Sequence, residues 1–287
     1  MTKNATWDTH VHLFDPRCFP FARNRSYTPG PASTQDLLQI MKVGDIDRAV
    51  IVQPSVYGND NACLLHALDT LGDRARGVAV ADPAMLGHAT ISNMRARGVR
   101  GFRVNLVSHP EARNGTRAVQ DMAAALAGSG MFLQIYAPIE TVLRHVETIT
   151  HAGVPVVLDH FSGIEAEGHE GLLNDLLHHI ASAPVWIKMS ADYKLGTDRN
   201  SAQKRARSMI QACVELRPDH VIWGSDWPHT SGGAERKARA FGEIEPFRKV
   251  DSHAIPKLFE TCNLNASKIR KIMCDNPMRL FEPGRAR

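Results

Sequence analysis

Two imidazoles near the start of the chain and one carboxylate near its end are the side chains best suited to chemistry. His10 and His12 lie two residues apart in Asp8-Thr9-His10-Val11-His12. On a strand that spacing projects both rings from one face. Asp226 follows the β-branched and aromatic run Val221-Ile222-Trp223, after Gly224 and Ser225. A lone carboxylate at a buried strand mouth is costly unless something compensates it. The spacing therefore predicts that the fold brings Asp226 to His10 and His12 in one active site. Imidazole and carboxylate are also ligands of zinc, so His10, His12 and Asp226, with His160 as a fourth, could hold one divalent cation.

Other polar residues recur where apolar runs end. In chain order they are Ser55, Asp82, Arg103 with Asn105, Tyr136, Asp159 with His160, and Lys188 with Ser190. Packing alone would ask for Val, Ile and Ala at such positions, so this series points to an enzyme. Arg103 reads either as a clamp for an anionic substrate or as half of an ion pair with Asp82 or Asp226. A guanidinium at the same mouth repels a divalent cation, and the expected centre is therefore metal-free. Lys188 could form a Schiff base if desolvated, but an ion pair with Asp159 or Asp226 is the simpler expectation. Tyr27, Tyr57 and Tyr136 are candidate hydrogen-bonding groups for a ligand.

The elements that must place these groups alternate along the whole chain. Strands are expected at Thr6–Phe14, Ala49–Val52, Gly77–Val80, Val99–Leu106, Phe132–Tyr136, Val154–Asp159, Val185–Met189 and His220–Trp223, with helical periodicity between them. Eight apolar strands each followed by a helix predict a single-domain (β/α)8 barrel, of the TIM type, over residues 1–287. Chemistry in such barrels sits at the C-terminal strand ends. The first turn holds His-Val-His-Leu-Phe-Asp-Pro rather than a Gly-rich phosphate loop, which argues against a doubly wound sheet.

Composition narrows the partners. The 287 residues carry a formal net charge of +4, with 43% hydrophobic and 22% charged residues. No Lys/Arg run is dense enough for nucleic acid, and no apolar run is long enough to cross a bilayer. Five scattered cysteines without a Cys-x-x-Cys pair, and no apolar leader, predict a cytoplasmic protein, monomeric or homo-oligomeric.

Seven motifs in order carry a family resemblance. They are Asp8-Thr9-His10-Val11-His12, Val50-Ile51-Val52-Gln53-Pro54-Ser55, Gly58-Asn59-Asp60-Asn61, Arg100-Gly101-Phe102-Arg103-Val104-Asn105, Leu158-Asp159-His160, Trp223-Gly224-Ser225-Asp226-Trp227-Pro228-His229 and Asn276-Pro277-Met278-Arg279-Leu280-Phe281. Together they resemble the amidohydrolase superfamily, in the branch of 2-pyrone-4,6-dicarboxylate lactonase and related lactone hydrolases and isomerases. The resemblance implies a distorted barrel and metal-independent hydrolysis of a small anionic lactone. It casts Asp226 as general base on water, and His10, His12 and His160 as the groups that polarise the carbonyl. Arg103 would hold a substrate carboxylate, with Ser55, Tyr27 and Tyr136 completing the pocket and Asn105, Lys194 and His229 beside them. Two departures stand out: Ser108-His109-Pro110 and Lys194 occupy places where the dicarboxylate lactonase has arginines. The alternatives are a lactone isomerase, a mononuclear metal-dependent hydrolase or decarboxylase, and a silent ligand-binding barrel.

Overall fold

An apolar run without alternation can be buried on both faces, and eight such runs form one parallel sheet. The computed structural model describes residues 5–107, 115–164, 170–231, 236, 239–240 and 242–284. Strands β1 (Trp7–Val11), β2 (Arg48–Val52), β3 (Ala75–Ala79), β4 (Val99–Asn105), β5 (Phe132–Tyr136), β6 (Val156–Leu158), β7 (Val185–Met189) and β8 (Val221–Trp223) lie in chain order. Each pairs in parallel with the next.

Closure is made by the segment just beyond β8. The His12 amide donates to the Trp227 carbonyl at 2.8 Å, and the Asp226 amide donates to the His10 carbonyl at 2.9 Å. Asp8 reinforces the seam: its Oδ1 accepts from the Ser225 amide at 2.8 Å and the His10 amide at 3.1 Å. Gly224 is required by this closeness, because a Cβ there would lie 2.5 Å from the His10 Cβ and 2.7 Å from its amide nitrogen. The barrel is thus distorted where its last strand meets its first, and that distortion brings Asp226 to His10.

Helices cover the outside. Ser33 caps the helix Thr34–Val43 through a reciprocal bond with Asp36, and Leu37 and Met41 turn into the core. The helical stretch after β5 is broken at His145 into Ile139–Arg144 and Val146–Thr150, where the His145 ring bonds the Thr116 hydroxyl at 2.7 Å. The helix that starts at Ala266 stays α-helical only to Arg270 and continues as a π-turn, Lys271–Asp275. Asn276–Phe281 then forms a further helix. Asn276 pins it beneath β8 by donating to the Pro218 and Val221 carbonyls at 3.0 and 2.8 Å. Phe281 stacks on Trp7 to seal the bottom of the barrel. A two-residue pairing, Thr28–Pro29 with Ile244–Glu245, ties the loop after β1 to the loop after β8 at the mouth. Among the described residues no helix is long and apolar enough to cross a membrane.

Candidate active site

A charged layer lies beneath the cavity and comes from four neighbouring strands, β4 to β7. Asp159, at the end of β6, is fully buried, and its Oδ2 accepts from Arg103 Nε and Gln134 Nε2, both at 3.0 Å. Lys188 of β7 is equally buried, with Nζ 3.2 Å from Asp159 Oδ1 and 2.9 Å from Gln134 Oε1. Arg103 therefore pairs with Asp159, not with Asp82 or Asp226. The reason is register, since Arg103 of β4 and Asp159 reach across Gln134 on the intervening β5. Asp82 is spent capping its own turn, where it accepts from the Ala84 amide. Burial opposes the Asp159 charge, but Lys188, His10 and Arg103 outweigh it and hold the carboxyl well below the usual range.

The imidazoles and Asp226 stand on this layer. Asp226 Oδ1 is 3.5 Å from both His10 Nε2 and His12 Nε2, and 4.0 Å from His160 Nε2. The two Nε2 atoms of His10 and His12 are 3.3 Å apart. His12 donates through Nδ1 to the Val52 carbonyl at 2.7 Å, because a carbonyl can only accept. His160 Nδ1 is 2.7 Å from the Ser190 hydroxyl. The backbone of Asp226 and of His160 is left-handed, with φ of 63° and 51°. Such conformations persist only where surroundings impose them, and they cluster at active sites.

Burial alone raises the pKa of a carboxyl group such as that of Asp226. Burial does act in that direction, but the imidazoles of His160, His12 and His10 outweigh it and hold the carboxyl well below the usual range. Burial pushes His160 down to about 4, and burial with the nearby Lys188 charge pushes His10 well below its ordinary value. At neutral pH Asp226 is a carboxylate beside the neutral rings of His10 and His160.

Above it opens a cavity of about 390 Å³. His12, His160, Asp226, Ser55, Tyr27, Tyr136, Arg103, Asn105 and Lys194 all line it. His10 lies directly beneath. His229 does not reach the wall: it packs against the edge of Tyr193 and bonds Ser252 at 2.9 Å. Tyr57 is likewise away from the cavity, and its hydroxyl accepts from the Asp15 amide at 2.9 Å. Ser108, His109 and Pro110 lie outside the described residues.

Three lining residues carried no signal in the sequence. Tyr193 donates to Asp226 Oδ2 at 2.5 Å, and burial first, then Asp226, raise its pKa well above the ordinary value, so it keeps its proton. Arg236 is held bidentately by Glu245 at 2.8 and 2.7 Å and lies 3.7 Å from the Tyr27 ring centroid. Arg248 lies 5.6 Å from the Tyr193 ring, and among the described residues no carboxylate is within ion-pair distance of it. Tyr193 adjoins Lys194 in Asp192-Tyr193-Lys194, which was the one available hint. Neither arginine falls in a stretch with apolar periodicity.

The spacing of His10, His12 and Asp226 also fits a cation, since ligand atoms about 2 Å from a tetrahedral zinc lie about 3.3 Å from one another. His10, Asp159 and His160 form a second compact group.

A parallel eight-stranded barrel with imidazoles on its first strand and a carboxylate after its last defines a barrel hydrolase. Residues 7–282 match the amidohydrolase family, and the chain belongs to it. It is 29% identical to a 4-sulfomuconolactone hydrolase of Rhizobium radiobacter, over 96% of this chain and 90% of that one. The 2-pyrone-4,6-dicarboxylate hydrolase of Comamonas testosteroni is also 29% identical, with the same coverage. Among solved structures, a candidate 2-pyrone-4,6-dicarboxylic acid hydrolase from Pseudomonas putida superposes with a TM-score of 0.77 at 25% identity, over 96% of this chain and 97% of its own. An amidohydrolase from Burkholderia multivorans with bound zinc shares the fold at a TM-score of 0.68 and 18% identity, over 96% of this chain and 99% of its own. The resemblance carried by the seven motifs holds.

Proposed function

We propose that this protein hydrolyses a lactone bearing acidic groups, with Asp226 as the base that activates water and no metal required. The observation that carries the reading is the position of Asp226 Oδ1, 3.5 Å from two imidazole nitrogens at the floor of the cavity. Water attacks the ring carbonyl and gives its proton to Asp226, while the carbonyl electron pair moves onto oxygen. An imidazole N–H of His160 at the cavity wall stabilises that oxyanion, while His10 supports Asp226 from beneath. Collapse breaks the ring C–O bond, and the released alkoxide recovers the proton from Asp226. The product is an open-chain hydroxy or oxo acid.

The walls support an anionic substrate. Arg103, Lys194, Arg236 and Arg248 face one carboxylate, Asp226, across the cavity. Asp159 and Glu245 neutralise Arg103 and Arg236 from behind. Arg248 has no such partner among the described residues and stands ready for an acidic group of the substrate. The relatives named above act on a sulfomuconolactone and a pyrone dicarboxylate. Lys194 and Arg248 together offer charge where Lys194 alone replaces an arginine, and Ser55, Tyr27, Tyr136 and Asn105 complete the recognition surface. All five cysteines are free, which suits a reducing cytoplasm.

A second reading rests on the ligand spacing. His10, His12 and Asp226 would hold one divalent cation, which when bound polarises a carbonyl and acidifies water. Two measurements test the proposal. A panel of carboxylated and sulfonated lactones is screened by acid release with a pH indicator, and metal content is measured with activity before and after chelation. Acid release that survives chelation is expected. No turnover across the panel refutes the lactonase reading, and activity lost on chelation and restored by zinc refutes its metal-free form.

A further inference from the structure

We propose that Lys188 is a positioning residue that fixes the proton of His10 on Nε2, so that His10 serves as a hydrogen-bond donor and not as a metal ligand. Lys188 touches nothing in the cavity. It is fully buried in the floor, and its Nζ lies 3.2 Å from His10 Nδ1 on the side of the ring away from the cavity.

The proton can be placed by elimination. His12 spends its Nδ1 proton on Val52, so a neutral His12 presents a bare Nε2 to the Nε2 of His10, 3.3 Å away. If His10 carried its proton on Nδ1, two lone pairs would face each other at that distance. The same choice would set Nδ1–H against the Lys188 N–H groups at 3.2 Å, a donor facing a donor. With the proton on Nε2, both contacts become hydrogen bonds. The competing partner for Nδ1, Asp159 Oδ1, is farther at 3.4 Å and is already 3.2 Å from Lys188. Gln134 locks the lysine by accepting at 2.9 Å while its own amide donates to Asp159. The Asp159 carboxylate 3.2 Å from Nζ favours the ammonium form of Lys188, which can only donate.

The consequence is a choice of chemistry. A protonated Nε2 donates to His12 beside the Asp226 carboxylate, 3.5 Å away, and it lacks the lone pair a cation needs. Remove Lys188, and the proton can move to Nδ1 and donate to Asp159. The Nε2 atoms of His10 and His12 and the Asp226 carboxylate would then form a complete three-ligand set.

This inference rests on the lactonase reading only for its effect on turnover, and its test needs no substrate. The full chain, labelled with 15N-histidine and freed of metal by chelation, is studied by long-range 1H–15N correlation. The His10 signals are assigned by their loss in His10→Asn. Wild type is expected to show His10 as a neutral Nε2–H ring. In Lys188→Met the proton is expected on Nδ1, and affinity for added zinc should rise at least about tenfold. On an accepted lactone, kcat should fall about a hundredfold with KM little changed. A wild-type His10 protonated on Nδ1, or equal zinc affinity in the two proteins, overturns the proposal. Should Lys188→Met fail to fold, the wild-type spectrum decides alone.

Discussion

The Tyr193 hydroxyl donates to Oδ2 of Asp226 at 2.5 Å, leaving Oδ1 as the oxygen that faces the imidazoles. One carboxylate oxygen is thereby engaged and the other aimed. Asp226→Asn keeps the shape but cannot take a proton, and kcat should fall by about a thousandfold or more with the melting temperature little changed. Tyr193→Phe leaves the base in place but loosens its aim, so a loss nearer tenfold is expected. Steady-state kinetics on a lactone substrate checks both. Equal losses in the two variants would mean that Tyr193 does more than orient the carboxylate.

Arg103 and Arg248 line the same cavity but are held differently, and substitution should separate them. Arg103→Met removes a cavity cation and also one partner of buried Asp159, so KM should rise and stability should fall by about 3 kcal/mol. Arg248→Met breaks no ion pair among the described residues, so KM should rise about tenfold for acidic lactones with no measurable loss of stability. Urea unfolding beside kinetics reads both quantities. An unchanged KM in Arg248→Met would remove it from substrate recognition.

How far the sequence reveals this site depends on whether a residue's role is written locally. Strand periodicity places β5 and β7 to the residue, because both are apolar runs bounded by turn signals. The convergence of Asp226 with His10 and His12 is legible because a polar residue at the end of a buried strand is anomalous by itself. The ion pair of Arg103 with Asp159 was not legible, since strand register decides which partner a long side chain meets. Arg236 and Arg248 were hidden for another reason. They fall outside the apolar periodicity of the chain, and only the fold brings them to the cavity. Tyr193 looks like ordinary packing until its hydroxyl is seen against Asp226.

Acid should unfold this protein through its buried rings. Burial pushes His160 and His229 down to about 4, so the unfolded chain binds protons more readily than the folded one between about 6.5 and 4. Their contribution is present above pH 6.5 and is lost as pH falls through that window, on the order of 3 kcal/mol for each ring. Asp8 acts in the opposite sense. Burial raises its carboxyl to about 6, so its contribution is full below about 3.8 and is lost as pH rises to about 6. Two rings outweigh one carboxyl, and the melting temperature should drop between pH 6.5 and 4.5. His229→Asn, away from the cavity wall, should make that decline shallower. A melting temperature independent of pH in this range would show that the rings remain solvated.

Gly224 offers the sharpest test of the seam between the last strand and the first. A methyl group there would lie 2.5 Å from the His10 Cβ and 2.7 Å from its backbone nitrogen, and backbone cannot yield as a flexible side-chain tip can. The neighbouring bonds would have to open, among them the Asp226 amide to the His10 carbonyl and the Ser225 amide to Asp8. Gly224→Ala should therefore separate Asp226 from His10 and lower kcat/KM by about a hundredfold or more, since a displacement near 1 Å is enough for that. Gly72→Ala is the control for glycine loss, because a Cβ there meets nothing within 4 Å, although its φ of +55° adds some strain. That variant should lose stability but keep its turnover. If Gly224→Ala instead matched Gly72→Ala in both measures, the closeness of Gly224 to His10 would have no part in positioning the base.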